Sequence, residues 1–514
     1  MTTRHEKLIV LKNAVANVVR GSASAVVALL LPPFLTRSMS ADAFGAWSLV
    51  LQLSAYVGYL DFGIQTAISR FVAHTTERQD SGHRDRIVST ALACLAASGG
   101  LAILGLLLLA VFLPRVFHHL PSLLVFDVRA ALILVGGSLS IGLPASVFGA
   151  VFVGLQRNEV PAAIIGGSRL LSAALVVFVV HRGGGIASMA AVVALVNLGS
   201  YSVQYVAYRH LTENLCPPMG LAFKQVSKST IFELADYCFS LTIWGIAMLL
   251  VTGLDLTIVG IYRFADVAYY AVAATVVTFL AGLFGAIFGA MGSTAAVVHA
   301  RGDRAGLGRM VTVTTRLGMI LLLATGLPLI LLAHWLLKLW VGPLYAYHAT
   351  ILLQVLVAAN IVRLCATPYV LAMIGSGEQR RVILIPLLEG AVNLAFSLIL
   401  GLYIGALGVA LGTLIGAIIG LTGNIVYNMR RTLEIQLSVS EYLRDSLLRP
   451  LLCVVPIVLV AIIWQDLASA NVRSTCIGIA CFLCVSLLWR IGLVPTERRR
   501  LTEGVKARMH LLRG

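Results

Sequence analysis

The amino-acid sequence predicts an all-α membrane protein with about fourteen transmembrane helices, and three observations lead to this fold class. Of the 514 residues, 59% are apolar and only 12% are charged, whereas about a quarter of the residues in soluble domains are charged. Apolar runs long enough to cross a bilayer recur along the whole chain. These runs lack the alternating pattern of membrane β-strands, so helices are the structure that satisfies their backbone groups in lipid.

Each predicted span is an apolar window long enough for a hydrocarbon core of roughly 30 Å. The spans, numbered one to fourteen, cover residues 11–35, 43–64, 88–113, 130–154, 160–180, 186–208, 233–258, 268–296, 311–337, 349–374, 382–403, 405–429, 447–465 and 474–492. Basic residues precede the first apolar run, as in a signal peptide, but no small-residue cleavage site ends it. We therefore expect span one to be retained.

Basic residues fix the predicted orientation. Most lysines and arginines fall in every second loop, in the N-terminal segment and in the C-terminal tail. By the positive-inside rule, this alternation predicts that both termini are cytoplasmic. It also explains the net charge of +16 without a nucleic-acid partner, since the basic loops face anionic lipid headgroups.

The polar stretch after span six predicts a division into two lobes. The predicted regions are an N-terminal lobe (1–208), a cytoplasmic linker (209–231), a C-terminal lobe (232–432), two extra helices (433–493) and a basic cytoplasmic tail (494–514). Two sets of six spans are typical of transporters. The predicted outside loops are short, and the longest covers 115–128, so no extramembrane domain can hold a soluble catalytic site. A transporter, and not an enzyme, is predicted.

Arginine residues at membrane depth are the first candidates for function. Arg169 and Arg363 lie near the centres of spans five and ten, and Arg20 lies in span one, nearer to the cytoplasmic end. A charge at this depth is costly unless water or a partner receives it. Because guanidinium groups pair with phosphate oxygens through two hydrogen bonds, we expect these residues to bind an anionic ligand.

Polar residues at helical spacing accompany these arginines. Asn17 shares a helix face with Arg20, Asn360 shares one with Arg363, and polar stripes also run along spans six, seven and eleven. The pattern predicts a water-filled cavity, with Asn17 and Asn360 among its binding residues. Interhelical hydrogen bonds or buried ion pairs, such as Arg363 with Glu389, are the alternative explanation.

Three acidic residues are candidates for binding a coupling ion. Asp61, Asp236 and Glu389 lie in spans two, seven and eleven, where a carboxylate can take up a proton or a sodium ion that drives transport. A structural role is an equally good interpretation for Asp61, which lies near the inner end of span two.

No metal site and no cofactor are predicted. The eight cysteines lie mostly inside apolar runs, and the CxxC pair Cys481 and Cys484 has neither a second pair nor clustered histidines beside it. These cysteines are interpreted as small apolar packing residues.

Several motifs resemble those of the Wzx-type polysaccharide flippases of the multidrug/oligosaccharidyl-lipid/polysaccharide (MOP) superfamily. Arg37 followed by FGAWSL at 44–49 is similar to the family's pattern at span two, and the LDFGI segment at 60–64 leads into AISRFVA at 67–73. Gly253-Leu254-Asp255, followed by Tyr269-Tyr270, is similar to the pattern around span seven. The glycine-rich segment 405–413 is similar to span twelve of such proteins. The likeness extends over essentially the whole chain.

The resemblance implies two six-helix lobes facing a central cavity, as in MATE-like transporters, with two C-terminal helices added. It implies a bacterial inner (cytoplasmic) membrane and an undecaprenyl-diphosphate-linked oligosaccharide as cargo. The cargo would pass from the cytoplasmic to the outer leaflet by alternating access, for lipopolysaccharide or exopolysaccharide synthesis. Cavity arginines would then bind the diphosphate, and other polysaccharide-assembly proteins are candidate partners. The motifs themselves assign no role to Arg169 or Arg363.

Three other functions remain open on the sequence. A MATE-like drug or cation antiporter has the same fold, but its cavity is expected to favour carboxylates and aromatic residues over arginines. A membrane polysaccharide polymerase or ligase generally has one large outside loop with arginine and histidine, which this chain lacks. A scaffold for other polysaccharide enzymes is the third alternative.

Overall fold

The computed structural model describes residue 21 and residues 23–212, 226–289, 291–378, 382–463, 470–494 and 498. Within these residues the regular structure is helical, and an apolar helix matches each predicted span. In span order, the helices are Ala23–Ser38, Ala41–Asp61, Ser81–Val116, Ser122–Gly154, Glu159–His181, Ile186–Leu211, Lys228–Gly253, Phe264–Ala300, Arg304–Leu331, Pro343–Gly375, Leu384–Ile404, Ala406–Arg431, Val439–Ile462 and Gly478–Gly492. In the described part of the chain, 12 of them are long and apolar enough to cross a membrane. The predicted fold class is confirmed.

The chain divides into two compact units. Unit 1 comprises Met1–Phe279, His334–Leu352 and Pro386–Gly416, and unit 2 comprises Leu280–Ala333, Leu353–Ile385 and Ala417–Gly514. The division into lobes 1–208 and 232–432 stays a prediction.

In unit 1, spans three, four and six pack closely because small residues line their contacts. A Cβ added at Gly99 of span three would lie 2.7 Å from the Ser140 carbonyl oxygen of span four. At the other side of the unit, span one is joined to the short helix Ala333–Trp340. The Arg37 guanidinium donates to the carbonyls of Leu339 and Trp340 at 3.3 Å each, and the Trp340 indole donates to the Leu29 carbonyl at 2.8 Å.

In unit 2, the segment 432–438, here called the strap, is held by charged groups. Arg304 donates two hydrogen bonds to the Glu434 carboxylate, at 2.9 and 3.0 Å. The buried Glu378 carboxylate accepts from the backbone N–H groups of Leu433 and Glu434 at 3.0 and 3.3 Å. The Gln436 N–H adds a bond to the Arg304 carbonyl. The strap is therefore fixed from two sides by full charges.

The structure departs from the predicted spans at three turns, one of which separates the helix Ala333–Trp340 from predicted span nine. Span two ends at Asp61, and Phe62 and Gly63 adopt positive φ angles of 51° and 78° before an amphipathic helix, Ile64–Glu77. Hydropathy does not reveal this helix because half of it is polar. Span seven was predicted as one continuous helix, and this is wrong: its first part ends in a wide π-helical turn, Leu249–Gly253, and a new helix runs from Asp255 to Tyr262.

Candidate functional site

The break in span seven, residues 249–254, exposes backbone carbonyls in the middle of an apolar helix. A π-helical turn widens the backbone and interrupts the regular hydrogen-bond ladder, and such turns are frequent at functional sites. Carbonyls freed at membrane depth need donors from elsewhere in the protein. The break therefore becomes a place where neighbouring helices must supply polar side chains.

Spans two and eleven supply those donors. The Asn393 side-chain amide of span eleven donates to the carbonyls of Leu250 and Val251, at 3.1 and 2.8 Å. From span two, the Gln52 amide and the Tyr56 hydroxyl both donate to the Gly253 carbonyl, at 2.7 and 2.8 Å. Span eleven comes close to the break because Gly390 has no side chain, and a Cβ there would lie 2.6 Å from the Leu250 Cβ.

Directly after the break lies a buried carboxylate, Asp255, which is 8% exposed. Its Oδ2 accepts hydrogen bonds from the Tyr270 hydroxyl of span eight and the Thr413 hydroxyl of span twelve, each at 3.1 Å. These two hydroxyls are neutral, and their oxygens can also coordinate a small cation. Asp255 thus brings an ionisable group and two further spans to the break.

Further oxygen atoms continue from Asp255 toward span eleven. The Thr413 hydroxyl lies 3.1 Å from the Val409 carbonyl, and the Ser397 hydroxyl lies 3.3 Å from that carbonyl and 3.1 Å from Asn393 Oδ1. Each hydroxyl has one proton, so acceptors outnumber donors along this path. We call the oxygens of Asp255, Tyr270, Thr413, Ser397, Val409 and Asn393 the Asp255 cluster.

Glycines of span twelve bring the two halves of the Asp255 cluster together. A Cβ added at Gly412 would lie 2.8 Å from the Ser397 Cα, and one added at Gly416 would lie 2.8 Å from the Asn393 Cβ. Small residues at such positions let membrane helices approach closely. The glycine repeat read from the sequence therefore sets the spacing of the oxygens.

The Asp255 cluster contains hard oxygen ligands, which suit a proton or an alkali cation. Among the residues that the structure describes, no group of three or more His, Cys, Asp or Glu side chains is placed to hold a metal ion. The break thus combines one buried carboxylate with several neutral oxygen atoms.

The arginines predicted to bind an anion lie in different units. Arg169, near the centre of its helix in unit 1, is exposed and its guanidinium donates to the Ser24 hydroxyl of span one. Arg363 is half-buried in unit 2, and the neighbouring Asn360 is 5% exposed, with no hydrogen-bond partner for its Nδ2. Asn17 and Arg20 lie outside the described residues. A role for these residues in binding the cargo stays a prediction.

The predicted ion-binding carboxylates have three different environments, all in unit 1. Asp61 accepts from the Gln65 N–H at 3.3 Å, across the turn between span two and the helix Ile64–Glu77. Asp236 is exposed on the first part of span seven. Glu389 is buried one turn before Asn393 on span eleven. Their role in ion coupling stays a prediction, and the Asp61 carboxylate binds the first turn of the helix Ile64–Glu77, whose N-cap is Gly63.

Sequence reasoning did not select Asp255, Gln52, Tyr56 or Thr413 as site residues. Asp255 lies inside predicted span seven, so the rule that marks buried charges in membrane helices would have found it. Gln52, Tyr56 and Thr413 carried no comparable signal, because single amides and hydroxyls occur throughout membrane helices. Their role becomes visible once the break is known.

The chain matches, over residues 10–291, the family described as polysaccharide biosynthesis protein. This match covers more than half of the sequence. The chain belongs to this family. Among curated proteins, this chain is similar to the uncharacterized membrane protein EpsK of Bacillus subtilis (strain 168). The two are 24% identical over 390 residues, which is 76% of each chain.

Two solved structures of membrane transporters share the fold of this polysaccharide biosynthesis protein. The lipid II flippase MurJ in an inward closed conformation superposes with a TM-score of 0.69, covering 93% of this chain and 98% of its own, at 12% identity. An inward-facing multidrug resistance MATE family transporter gives a TM-score of 0.62, covering 82% and 99%, at 14% identity. The chain is a multi-pass membrane protein, and its fold is shared with these two transporters.

Proposed function

We propose that this protein is a flippase that moves an undecaprenyl-diphosphate-linked oligosaccharide from the cytoplasmic to the outer leaflet of a bacterial inner membrane. Membership of the polysaccharide biosynthesis family supports a glycan-related cargo. The fold shared with a lipid II flippase supports a lipid-linked one. Arg169 and Arg363 are the proposed contacts for the diphosphate, since guanidinium suits phosphate oxygens. Both termini are proposed to be cytoplasmic.

One observation supports the proposed energy coupling: a buried carboxylate lies beside the broken helix. Asp255 is bound by side chains from spans eight and twelve, while spans two and eleven bind the carbonyls just before it. An intramembrane carboxylate of this kind changes its interactions when it takes up a proton or a sodium ion. We propose that this uptake drives the alternation between inward and outward access.

The test is flipping by the purified protein in proteoliposomes. A fluorescent undecaprenyl-diphosphate oligosaccharide is placed in both leaflets, and the fraction reached by an external quencher is followed in time under a sodium gradient, a proton gradient or neither. We expect one gradient to accelerate flipping. Lack of flipping under every condition would contradict the proposed function, and flipping that ignores both gradients would contradict the coupling.

A drug or cation antiporter of the same fold is the alternative function, and an antiporter would also use a buried carboxylate. Deletion of the gene in its host separates the two. A flippase mutant accumulates lipid-linked repeat units and loses surface polysaccharide. An antiporter mutant keeps its polysaccharide and becomes more sensitive to toxic cations.

A further inference from the structure

Span two carries three polar side chains at four-residue intervals on the face that meets span seven. The Ser48 hydroxyl donates to the Phe44 carbonyl of its own helix, at 2.9 Å. The next two residues in the series, Gln52 and Tyr56, instead bind outside their helix, and both bind the Gly253 carbonyl. Two of the three side chains thus form hydrogen bonds to the break.

The Tyr56 hydroxyl holds both sides of the break at once. It donates its proton to the Gly253 carbonyl, and it lies 2.5 Å from Thr257 Oγ1, which then acts as the donor to the tyrosine oxygen. Gly253 precedes Leu254 and Thr257 follows it, so one side chain bridges the end of one helix and the start of the next. Gln52 strengthens the contact on the Gly253 side.

Gly253 lies close to both spans. A Cβ added there would lie 2.6 Å from Leu249 Cδ1 of span seven and 3.3 Å from the Tyr59 hydroxyl of span two. A larger residue would require the Leu249 side chain to move.

Asp255 lies between the two residues that Tyr56 connects. Any change in the backbone at Asp255, such as a rotation that follows binding of a charge, must change the separation or orientation of the Gly253 carbonyl and the Thr257 hydroxyl. Spans two and seven belong to the two different predicted lobes, and both lie in unit 1 of the structure. Contacts between lobes are the ones that an alternating-access movement has to break and remake.

We propose that Gln52 and Tyr56 form a latch that couples the state of the Asp255 cluster to span two. In this structure the latch binds the broken helix, and it releases the helix when the Asp255 cluster gains or loses a bound proton or cation. This inference rests on the proposed function and deepens it by naming two positioning residues, which touch neither the cargo nor the ion.

Loss of the latch is expected to shift the half-saturating ion concentration of flipping, and not only to lower the flipping rate. Removing an interaction present in one state moves the conformational equilibrium, and the apparent ion affinity moves with it. Loss of the two bonds to Gly253 is expected to change the half-saturating ion concentration by about tenfold, the size that lost hydrogen bonds produce. A residue needed only for folding would lower the amount of active protein without this shift.

The experiment compares the wild type, the double variant Gln52→Ala/Tyr56→Phe and the control Ser48→Ala, each as the full chain in nanodiscs. Hydrogen–deuterium exchange is measured for the amides of 249–257 with and without sodium chloride and at two pH values. We expect the double variant to exchange about tenfold faster in this segment, in line with lost hydrogen bonds, and Ser48→Ala to behave as the wild type. The single variant Tyr56→Phe removes only the hydroxyl and keeps the aromatic ring, so it controls for misfolding of the double variant.

Equal exchange in the double variant and the wild type would overturn the latch. In the flipping assay, a lower maximal rate with an unchanged half-saturating ion concentration would also overturn it. A wild type that flips no lipid-linked oligosaccharide would contradict the proposed function instead. In that case the exchange data still decide whether span two holds the break, so the two failures are distinguishable.

Discussion

Acidic side chains are held in two contrasting ways in this protein, at the break in span seven and at the strap. The strap residue Glu434 pairs with the Arg304 guanidinium at 2.9 Å, and Glu378 binds two backbone N–H groups. Asp255, at the break, accepts hydrogen bonds from the hydroxyls of Tyr270 and Thr413. Guanidinium and backbone N–H groups are donors only, whereas a hydroxyl can also turn a lone pair toward a cation.

The difference teaches that depth of burial alone does not identify a coupling residue. Glu378 is 6% exposed and Asp255 is 8% exposed, so burial ranks them almost equally. Glu378 accepts from two backbone N–H groups, which cannot bind a cation, whereas the hydroxyl oxygens beside Asp255 can coordinate one. We therefore expect Glu378 to stabilise the structure and Asp255 to carry the ion.

The largest effect is expected for Asp255→Asn. The amide keeps the shape but removes the charge that attracts a cation, so we expect coupled flipping to fall by about a hundredfold or more, given the strength of charge pairs away from water. The measurement is gradient-driven flipping in proteoliposomes. The matched control is Glu434→Gln at the strap, and an equal loss in both variants would abolish the contrast.

Asn393→Ala should have the next largest effect, because this side chain binds two carbonyls of the break. We expect the melting temperature to fall, in line with about 2 kcal/mol for two lost hydrogen bonds, and the ion dependence to shift. Gln354→Ala is the control, since its amide donates to the Ile330 carbonyl at 2.9 Å within unit 2. Gln354→Ala should lower stability without changing the ion dependence. An unchanged ion dependence in Asn393→Ala would contradict a role of the break in ion coupling.

Glu378→Gln should lower stability without changing ion coupling. The substitution removes the charge that strengthens two bonds to the strap, and we expect a cost of about 1–2 kcal/mol, the range for hydrogen bonds to charged groups. Thermal unfolding followed by tryptophan fluorescence measures this loss. A changed half-saturating ion concentration in this variant would show that the strap also takes part in coupling.

The smallest effect is expected for Arg304→Ala. The Arg304 side chain is 52% exposed, and exposed ion pairs contribute about 1 kcal/mol or less. The loss in melting temperature should shrink further in high salt, because salt screens exposed charges. Arg309→Ala, on the same helix, is the control. A large, salt-independent loss in Arg304→Ala would mean that the strap depends on this pair more than its exposure indicates.

Hydropathy predicted the spans well because lipid imposes one rule on every one of them. Each predicted window contains an apolar helix, including the short last one, Gly478–Gly492. The same rule failed at three turns. It ran span seven through the break and span nine into the separate helix Ala333–Trp340, and it missed the amphipathic helix Ile64–Glu77. Average hydropathy does not register a change of backbone direction within an apolar run.

The candidate site was harder to predict because its side chains come from five spans. Asp255 had a sequence signal in its charge, but Tyr56, Asn393 and Thr413 become meaningful through partners far along the chain. Sequence separation hides such partners when one sequence is read alone. The arginines Arg169 and Arg363, which the sequence marked most strongly, stay predictions for the cargo.

Under the proposed ion coupling, the glycines of span twelve have a consequence for ion selectivity. Gly412 and Gly416 bring the backbone of span twelve against Ser397 and Asn393 of span eleven, and the oxygens of Val409 and Thr413 move with that backbone. A methyl group at either glycine would wedge the two helices apart and enlarge any coordination shell between them. Discrimination between lithium, sodium and potassium would then follow from ionic radius, and two residues without side chains would govern it.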